Sequence, residues 1–378
     1  MEIHKIFFQL IQVSIGKRAK LDITPSPEEW EQLFDIANKQ SLAGVCFAGL
    51  KKLPAEQSPG EDLVMDWMGK SISTQRRNDK VTMVCGELND YFRSKGFNTC
   101  VLKGQSNHVY YPADMAGNRT SGDIDIWLFP KDGETSQVCK TMHFLEQENS
   151  IVSLAYLHAE LKPYKTVAIE AHFRPTFLNE PIHNHRLQKW YWENKADCIM
   201  EIEIADGITI PMLKPVYNII FQLVHIYRHL LDEGIGLRQL LDYYFLLRGT
   251  VQSLTEEQKK TIADKLSAFG LSRIAGAVMY VLRQVFMIEE KYMIVPVNER
   301  YGRQLLDEIM IAGNFGHYDP RLKDIGQASH DTSYQIRHAI RRFSRNTRFF
   351  MAYPSEVIFE PFARVIHFWW RKFKLWRY

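Results

Sequence analysis

The segment that most constrains the fold reads Gly-Asp-Ile-Asp-Ile-Trp-Leu-Phe over residues 122–129. It alternates acidic and apolar residues and then becomes wholly apolar, which predicts a β-strand with one exposed end. Since side chains two residues apart share a face of a strand, Asp123 and Asp125 are expected to project together. Two close carboxylates repel each other unless a cation lies between them. The pair therefore indicates either a site for a hard cation such as Mg²⁺ or a solvated strand edge.

The spacing of apolar residues divides the chain into three predicted regions. Residues 1–96 have helical periodicity, with a helix start at Ser26 and Pro27 and a long helix from Glu61 to Lys95. Residues 97–213 contain short β-type runs, and helical periodicity returns over residues 214–378. We therefore expect an α+β fold, with a small α/β core between a helical N-terminal region and a mostly α-helical C-terminal half.

Two of these expectations can be stated residue by residue. The buried stripe of the long helix is predicted to consist of Leu63, Trp67, Ile72, Met83, Leu88 and Phe92. The strands predicted in the core are Thr99–Leu102, Asp123–Phe129, Ser153–Tyr164 and Lys165–Phe173.

A glycine lies between a predicted strand and a predicted helix start at Leu102-Lys103-Gly104-Gln105-Ser106. The start of a helix presents free backbone N–H groups and the positive end of its dipole, which attract phosphate. Lys103 could add a positive charge. The alternative is an ordinary connection between a strand and a helix.

Glu170 is an acidic residue within the apolar run Thr166–Ala171. A third carboxylate facing Asp123 and Asp125 would complete a two-metal site for in-line phosphoryl displacement. The alternative is that Glu170 lies on an edge strand and faces solvent.

Together, the segments Leu102–Gly104, Arg119–Ile126 and Glu170–His172 resemble an uncharacterised nucleotidyltransferase family that is often found in bacteria. That family belongs to the DNA polymerase β-like nucleotidyltransferase superfamily. The resemblance covers about residues 34–247. It implies a small mixed β-sheet flanked by helices, dependence on Mg²⁺, and transfer of a nucleoside monophosphate from an NTP.

The resemblance also implies roles for particular residues. The catalytic and metal-binding residues are expected to be Asp123, Asp125 and Glu170. One or two Mg²⁺ ions held there would neutralise the triphosphate and lower the pKa of an acceptor hydroxyl. The expected nucleotide-binding residues are Lys103, Gly104, Gln105, Ser106, Arg119 and Ser121, with Arg119 stabilising charge on the leaving pyrophosphate. The acceptor is open: a sugar, another small molecule, a protein hydroxyl or an RNA end.

Several histidines are candidates for a substrate pocket. His225 and His229 are four residues apart on a predicted helix, a spacing that places both on one face. With His172 they could bind a metal, although they could equally be half-buried or line a pocket. Arg238 either pairs with Asp242, one helical turn later, or orients the substrate.

The C-terminal segment is basic and aromatic. The whole chain has 47 Lys and Arg against 44 Asp and Glu, but residues 338–378 contain nine basic residues and only Glu356 and Glu360 as acids. Phe362, Ile366, Trp369, Trp370, Phe373 and Trp376 recur at helical spacing. Three interpretations are open: a terminal helix docked on the protein, an interfacial membrane helix, or a nucleic-acid patch with stacking aromatics.

The composition excludes several protein classes. With 46% hydrophobic and 24% charged residues the chain is expected to be globular. No apolar run approaches the length of a membrane span, and the N-terminal segment reads as an amphipathic helix. Five scattered cysteines favour reduced thiols in a cytoplasmic protein. A rival to an enzyme is a catalytically weak nucleotide- or partner-binding protein that retains the fold.

Overall fold

The computed structural model describes residues 2–131, 137–322 and 342–375. One mixed sheet of seven strands forms its centre, in the order β3-β4-β5-β2-β1-β7-β6. The strands are β1 Phe97–Val101, β2 Ile124–Pro130, β3 Ile151–Leu154, β4 His158–Tyr164, β5 Val167–His172, β6 Ile199–Ala205 and β7 Ile208–Leu213. With helices before and after this sheet in the chain, the α+β prediction is confirmed.

The helices before and within the sheet are α1 Glu2–Ser14, α2 Pro27–Lys39, α3 Ala43–Leu50, α4 Glu61–Ser94, α5 Ala113–Ala116, α6 Gln137–Gln147 and α7 Pro181–Glu193. Those after it are α8 Pro215–Asp232, α9 Leu237–Thr250, α10 Glu256–Ala268, α11 Ser272–Phe286, α12 Glu299–Ala312, α13 (342–349 as described) and α14 Pro354–Lys372. The predicted start of α2 is present as a capping box between Ser26 and Glu29.

Strand β2 lies at the centre of the sheet and all its residues are buried. It pairs antiparallel with β1 and parallel with β5. In the parallel pair Asp125 is in register with Glu170, and Trp127 with His172. The alternation of the sequence therefore fixes which polar side chains meet at this end of the sheet.

The predicted stripe of α4 is wrong at two positions, because Ile72 and Met83 are exposed. Around Ile72 the helix faces a polar loop rather than an apolar core. It buries Ser71, whose hydroxyl lies 2.6 Å from Asn118 Oδ1, and Asn78, whose amide donates to the Gly117 and Arg119 carbonyls. Met83 is exposed for another reason, because it lies off the buried stripe of Val81, Val84, Cys85 and Leu88.

The strand predictions also differ from the structure. The single strand expected over Ser153–Tyr164 is two strands, β3 and β4, which turn at 155–157. The β6–β7 hairpin was not predicted, although Ile and Glu alternate along β6. The helix start expected after Lys103 is a seven-residue 3₁₀ helix, Gly104–Tyr110.

Among the described residues, no single helix has both the length and the apolar character needed to cross a membrane. Taken together by length and composition, α10 and α11 would pass that test, but they meet at a bend of 117°.

Candidate active site

Three carboxylates converge at the end of β2. Asp123 immediately precedes β2, Asp125 is its second residue, and Glu170 is the facing residue of β5. One oxygen atom from each carboxylate lies within 4.8 Å of the other two. Parallel pairing of β2 with β5 thus brings Glu170 to the two aspartates, from which it is 45 and 47 residues away in the sequence.

Asp125 is the most enclosed of the three, with 2% of its surface exposed. Its Oδ2 atom is buried and has no hydrogen-bond partner among the described residues, although Lys103 Nζ lies 3.1 Å away as an ion pair. The same ammonium lies 3.8 Å from Asp123 Oδ1. Burial by itself would lower the pKa of Lys103, but Asp123, Asp125 and Glu170 outweigh it and raise that pKa. Lys103 is therefore charged and partly neutralises the acids.

His172 supplies a second positive charge to the acids. Its Nε2 atom lies 3.0 Å from Asp125 Oδ1 and 3.4 Å from Glu170 Oε2, and its Nδ1 atom lies 3.3 Å from the Arg174 carbonyl. Burial would lower the pKa of His172, but hydrogen bonds to the two carboxylates raise it to about 9. Because both ring nitrogens face acceptors, the ring is an imidazolium at neutral pH.

The carboxylate of Glu170 is held in its ionised form. Burial would raise the pKa of Glu170, but the hydrogen bond from His172 and the charges of His172 and of His158, which is protonated at such low pH, lower it to about 2. His158 Nδ1 lies 3.2 Å from Glu170 Oε2. Burial and the charge of His172 lower the pKa of His158 to about 4, so His158 is neutral at pH 7.

The loop before β2 is fixed by contacts from two helices. From α4, Arg77 donates to the carbonyls of Ser121 (3.0 Å) and Gly122 (2.7 Å). From α9, Asp242 accepts two hydrogen bonds from Arg119, each of 2.6 Å, in a buried pair. These contacts set the position at which the chain enters β2, and hence that of Asp123.

A pocket opens beside the acids. Its lining is rich in basic and amide side chains: Lys103, Gly104, Asn107, Arg119, Gly122, Asp123, Gln222, His225, Ile226, Arg238, Gln239 and Asp242. Arg238 donates from Nη1 to the Thr120 carbonyl at 2.9 Å, while its buried Nε atom has no partner among the described residues. The pocket therefore offers a guanidinium group with unused donor capacity next to the acids.

Of the residues predicted to bind the nucleotide, Lys103, Gly104 and Arg119 line this pocket. Gln105 and Ser121 are buried behind it, where the Ser121 hydroxyl donates to Gln105 Oε1 at 2.8 Å. Ser106 is also buried, and its hydroxyl has no partner in the part of the chain that the structure describes. Gly104 has a φ of +73°, a conformation that favours glycine at this turn.

The four residues predicted for a substrate pocket are distributed around the site. Arg238 and His225 line the pocket, and His172 contacts the acids. His225 and His229 pack edge to face, with ring centroids 4.3 Å apart, and burial lowers the pKa of His225. Within the described ranges, these two histidines and His172 do not form a metal-ligand group. Asp242 pairs with Arg119 rather than with its helical neighbour Arg238.

Sequence reasoning missed three side chains of the site: His158, Asn107 and Gln222. His158 is the first residue of β4, a strand that the sequence did not separate from β3, so its pairing with His172 across β4 and β5 could not be inferred. Gln222 donates to Asn107 Oδ1 at 2.7 Å across the pocket. A glutamine among the apolar residues of α8 was the available signal, since buried amides need partners.

Residues 26–287 match the family described as "Uncharacterised nucleotidyltransferase". The chain belongs to this family. The match to the uncharacterised nucleotidyltransferase family runs from α2 to the end of α11. It therefore includes the whole sheet with its three acids, and helices that precede and follow the sheet in the chain.

No curated protein matches the chain. Among solved structures, the crystal structure of an antigenic nucleotidyltransferase-like protein from Paracoccidioides brasiliensis is similar to part of it. That similarity has a TM-score of 0.31 and 12% sequence identity, and covers 51% of this chain and 93% of the other.

Proposed function

We propose that this chain is a Mg²⁺-dependent nucleotidyltransferase that moves a nucleoside monophosphate from an NTP to a hydroxyl acceptor. The observation that carries the proposal is the convergence of Asp123, Asp125 and Glu170 within 4.8 Å, beside a pocket with basic side chains. Membership of the nucleotidyltransferase family supports the nucleotide as substrate.

The acids fit a hard divalent cation. All three offer carboxylate oxygens, the ligands that Mg²⁺ prefers. The buried Oδ2 atom of Asp125 already faces a cation, the Lys103 ammonium at 3.1 Å, as an oxygen that coordinates a metal ion would. When bound there, Mg²⁺ would neutralise phosphate charge and lower the pKa of the acceptor hydroxyl.

Lys103 and Arg238 are the residues we assign to the triphosphate. Lys103 Nζ already lies within 3.8 Å of both aspartates, at the mouth of the pocket. Arg238 faces the same pocket with donors that the protein does not use. A guanidinium in this position can hold a phosphate oxygen pair and stabilise charge on the departing pyrophosphate.

Arg119, Gln105 and Ser121 have a positioning role in this proposal. The guanidinium of Arg119 is held by both carboxylate oxygens of Asp242, so it fixes the loop rather than reaching freely towards a leaving group. Gln105 joins this loop to α4 by donating to Thr82 Oγ1 at 2.9 Å while accepting from Ser121. The rigid loop holds Asp123 in place for the in-line reaction.

His172 has a further role in keeping Glu170 ionised. As an imidazolium it hydrogen-bonds to Glu170 and helps to lower the pKa of that carboxyl group. Glu170 is thus ready to accept a cation at neutral pH.

The rival proposal is a nucleotide- or partner-binding protein with little catalytic activity. Both proposals place an NTP in the pocket, but only the enzyme transfers the labelled α-phosphate. Incubation of the protein with α-labelled NTPs, Mg²⁺ and fractions of metabolites, RNA and protein is expected to yield a labelled product that EDTA abolishes.

Glu170→Gln is the decisive variant for this assay. We expect it to lose transfer, because it removes a metal-binding charge without changing the size of the side chain. Glu160→Gln is the matched control, since Glu160 faces Glu170 on β4 but is exposed and outside the three-acid group. Retained NTP binding with no product from any fraction would favour the rival. Full transfer by Glu170→Gln would contradict the assignment of Glu170.

A further inference from the structure

Three charged residues of α14, Glu356, Glu360 and Arg364, contact the protein. Glu356 and Glu360 are both buried. Glu356 accepts hydrogen bonds from the backbone N–H groups of Asn179 (2.7 Å) and Glu180 (3.1 Å). Arg364 forms ion pairs with Glu360 and with Asp232 of α8. The docked side of this helix is therefore its polar side, the reverse of a typical surface helix.

Aromatic residues complete the docking at the C-terminal part of α14. The ring of His367 stacks on Tyr156, with centroids 3.9 Å apart and an interplanar angle of 8°. Trp370 packs against Phe173, which follows β5. The interpretation of the tail as a docked terminal helix is thus supported for this side of α14.

The opposite side of α14 is an uninterrupted apolar surface. Its side chains are between 41% and 62% exposed: Ile358, Phe362, Val365, Ile366, Trp369 and Phe373. We call this set the apolar face of α14. Its members recur at intervals of three and four residues, so they form one stripe along the helix. A stripe of six large apolar side chains exceeds the scattered exposure that is normal for a protein surface.

One basic side chain borders the apolar face. The exposed charged residues of α14 and the turn after it are Arg371, Lys372 and Lys374, whereas both acids of the helix are buried. Arg371 donates to the Leu154 carbonyl at 3.0 Å and Lys374 pairs with Glu146 at 3.3 Å, so the protein itself holds both. Lys372 Nζ instead lies 5.0 Å from the ring centroid of Trp369, and Trp369 stacks on Phe373. Because both acids of α14 turn inward, neither offsets the positive charge of Lys372 beside the apolar face.

We propose that the apolar face of α14 binds the interface of a membrane that contains anionic phospholipids. Trp and Phe side chains flanked by Lys and Arg are typical of helices that lie in the headgroup region. Lys372 at the edge of the apolar face complements the negative surface, with a contribution of about 1 kcal/mol. Nucleic acid is the less suitable partner, because Ile358, Val365 and Ile366 offer no ring on which bases could stack. This attachment is separate from the transfer reaction.

Vesicle co-sedimentation of the full chain tests the proposal. We expect the protein to sediment with vesicles of phosphatidylcholine mixed with phosphatidylglycerol, and to bind several-fold less to phosphatidylcholine alone or at high salt. The double variant F362S/W369S is expected to lower partitioning at least about tenfold, since two aromatic side chains no longer enter the interface. Lys372→Glu should weaken binding to the anionic vesicles while leaving binding to phosphatidylcholine unchanged.

The double variant M65S/M83S is the matched control, because both methionines are more than half exposed on α4 and outside the apolar face. It should bind vesicles like the original protein, and both double variants should unfold at the same temperature as it does.

Four results would overturn the proposal. The first is no sedimentation with anionic vesicles, or sedimentation that F362S/W369S leaves unchanged. The second is a dimer in light scattering that F362S/W369S alone dissociates, because the face would then bind another copy of the chain. The third is a lower unfolding temperature for F362S/W369S than for the control, because other residues of the chain would then cover the face. The fourth is salt-sensitive RNA binding that depends on Phe362 and Trp369 in the absence of lipid binding.

Discussion

Replacing Asp123 with asparagine is expected to change stability and cation binding in opposite directions. The change preserves the shape of the side chain and removes one negative charge. We expect Asp123→Asn to make the metal-free protein slightly more stable and to abolish the stabilisation that Mg²⁺ gives. The opposite signs of these two effects make the prediction specific.

The magnitude follows from the distances at the site. The carboxylate oxygens lie no more than 4.8 Å apart, so with an effective dielectric constant of about 20 each pair of unit charges repels by at least about 3.5 kcal/mol. Asp123 therefore experiences about 7 kcal/mol of repulsion from Asp125 and Glu170 together. Against this, Lys103 Nζ at 3.8 Å attracts it by about 4 kcal/mol. Because one third of the Asp123 side chain is exposed (33%) and solvent screens these terms, we expect a net gain of only about 1 kcal/mol.

Urea denaturation with EDTA, and then with increasing Mg²⁺, measures both effects. A ligand present at 100 times its Kd stabilises the folded state by about 2.7 kcal/mol. The original protein and the control Asp206→Asn, which removes an exposed charge from the β6–β7 turn, should both show this gain. An equal gain in Asp123→Asn would refute the metal assignment. A loss of several kcal/mol in EDTA would show instead that Asp123 is needed for folding.

Three further predictions concern the surroundings of the acids and the docking of α14. Asp242→Asn should reduce the free energy of unfolding by about 3–5 kcal/mol in urea denaturation, because Arg119 is left as a buried charge without its partner. Tyr111→Phe, which removes one hydrogen bond to Asp242, should reduce it by only about 1 kcal/mol. Arg238→Met should raise the KM for NTP about tenfold or more, with partial recovery in Arg238→Lys, since a charge-assisted hydrogen bond is lost; an unchanged KM would remove Arg238 from the nucleotide site. Burial outweighs two backbone hydrogen bonds and raises the pKa of Glu356 from 4.5 to about 7. The folded state therefore binds the proton more tightly than the unfolded state, and the free energy of unfolding should fall by about 3 kcal/mol as the pH rises from 4.5 to about 7. Glu356→Gln should remove this pH dependence from denaturation curves recorded over the same range.

The strand that carries the aspartates was predictable because its pattern is local. Alternation over Asp123–Ile126, followed by apolar residues, specifies β2 without knowledge of its neighbours, and the structure begins the strand at Ile124. The fold class followed in the same way from runs of helical and strand periodicity. Glu170 was a candidate because an acid within an apolar strand is unusual. Its register with Asp125 is a property of sheet pairing, and the sequence does not encode that pairing locally.

Residues whose partners are distant in the chain could not be predicted. The partner of Asp242 is Arg119, 123 positions away, whereas the sequence suggested its neighbour Arg238. Ile72 was placed in the core because periodicity alone cannot show that this part of α4 faces a polar loop, and Met83 because periodicity did not show that the buried stripe runs through Val81, Val84 and Leu88. His158 became a neighbour of His172 only through a strand boundary that composition did not reveal.

The hydrogen bonds from Arg77 and Asn78 to the loop before β2 have a consequence for how the protein can be divided. Both residues lie in α4, in the N-terminal region that the spacing of apolar residues separates from residues 97–213. A fragment that began at residue 97 would contain all three acids but none of the donors that α4 supplies to the loop. Such a fragment would test whether β-sheet pairing alone can position Asp123. We expect that it could not, so a minimal functional unit should begin at or before α4.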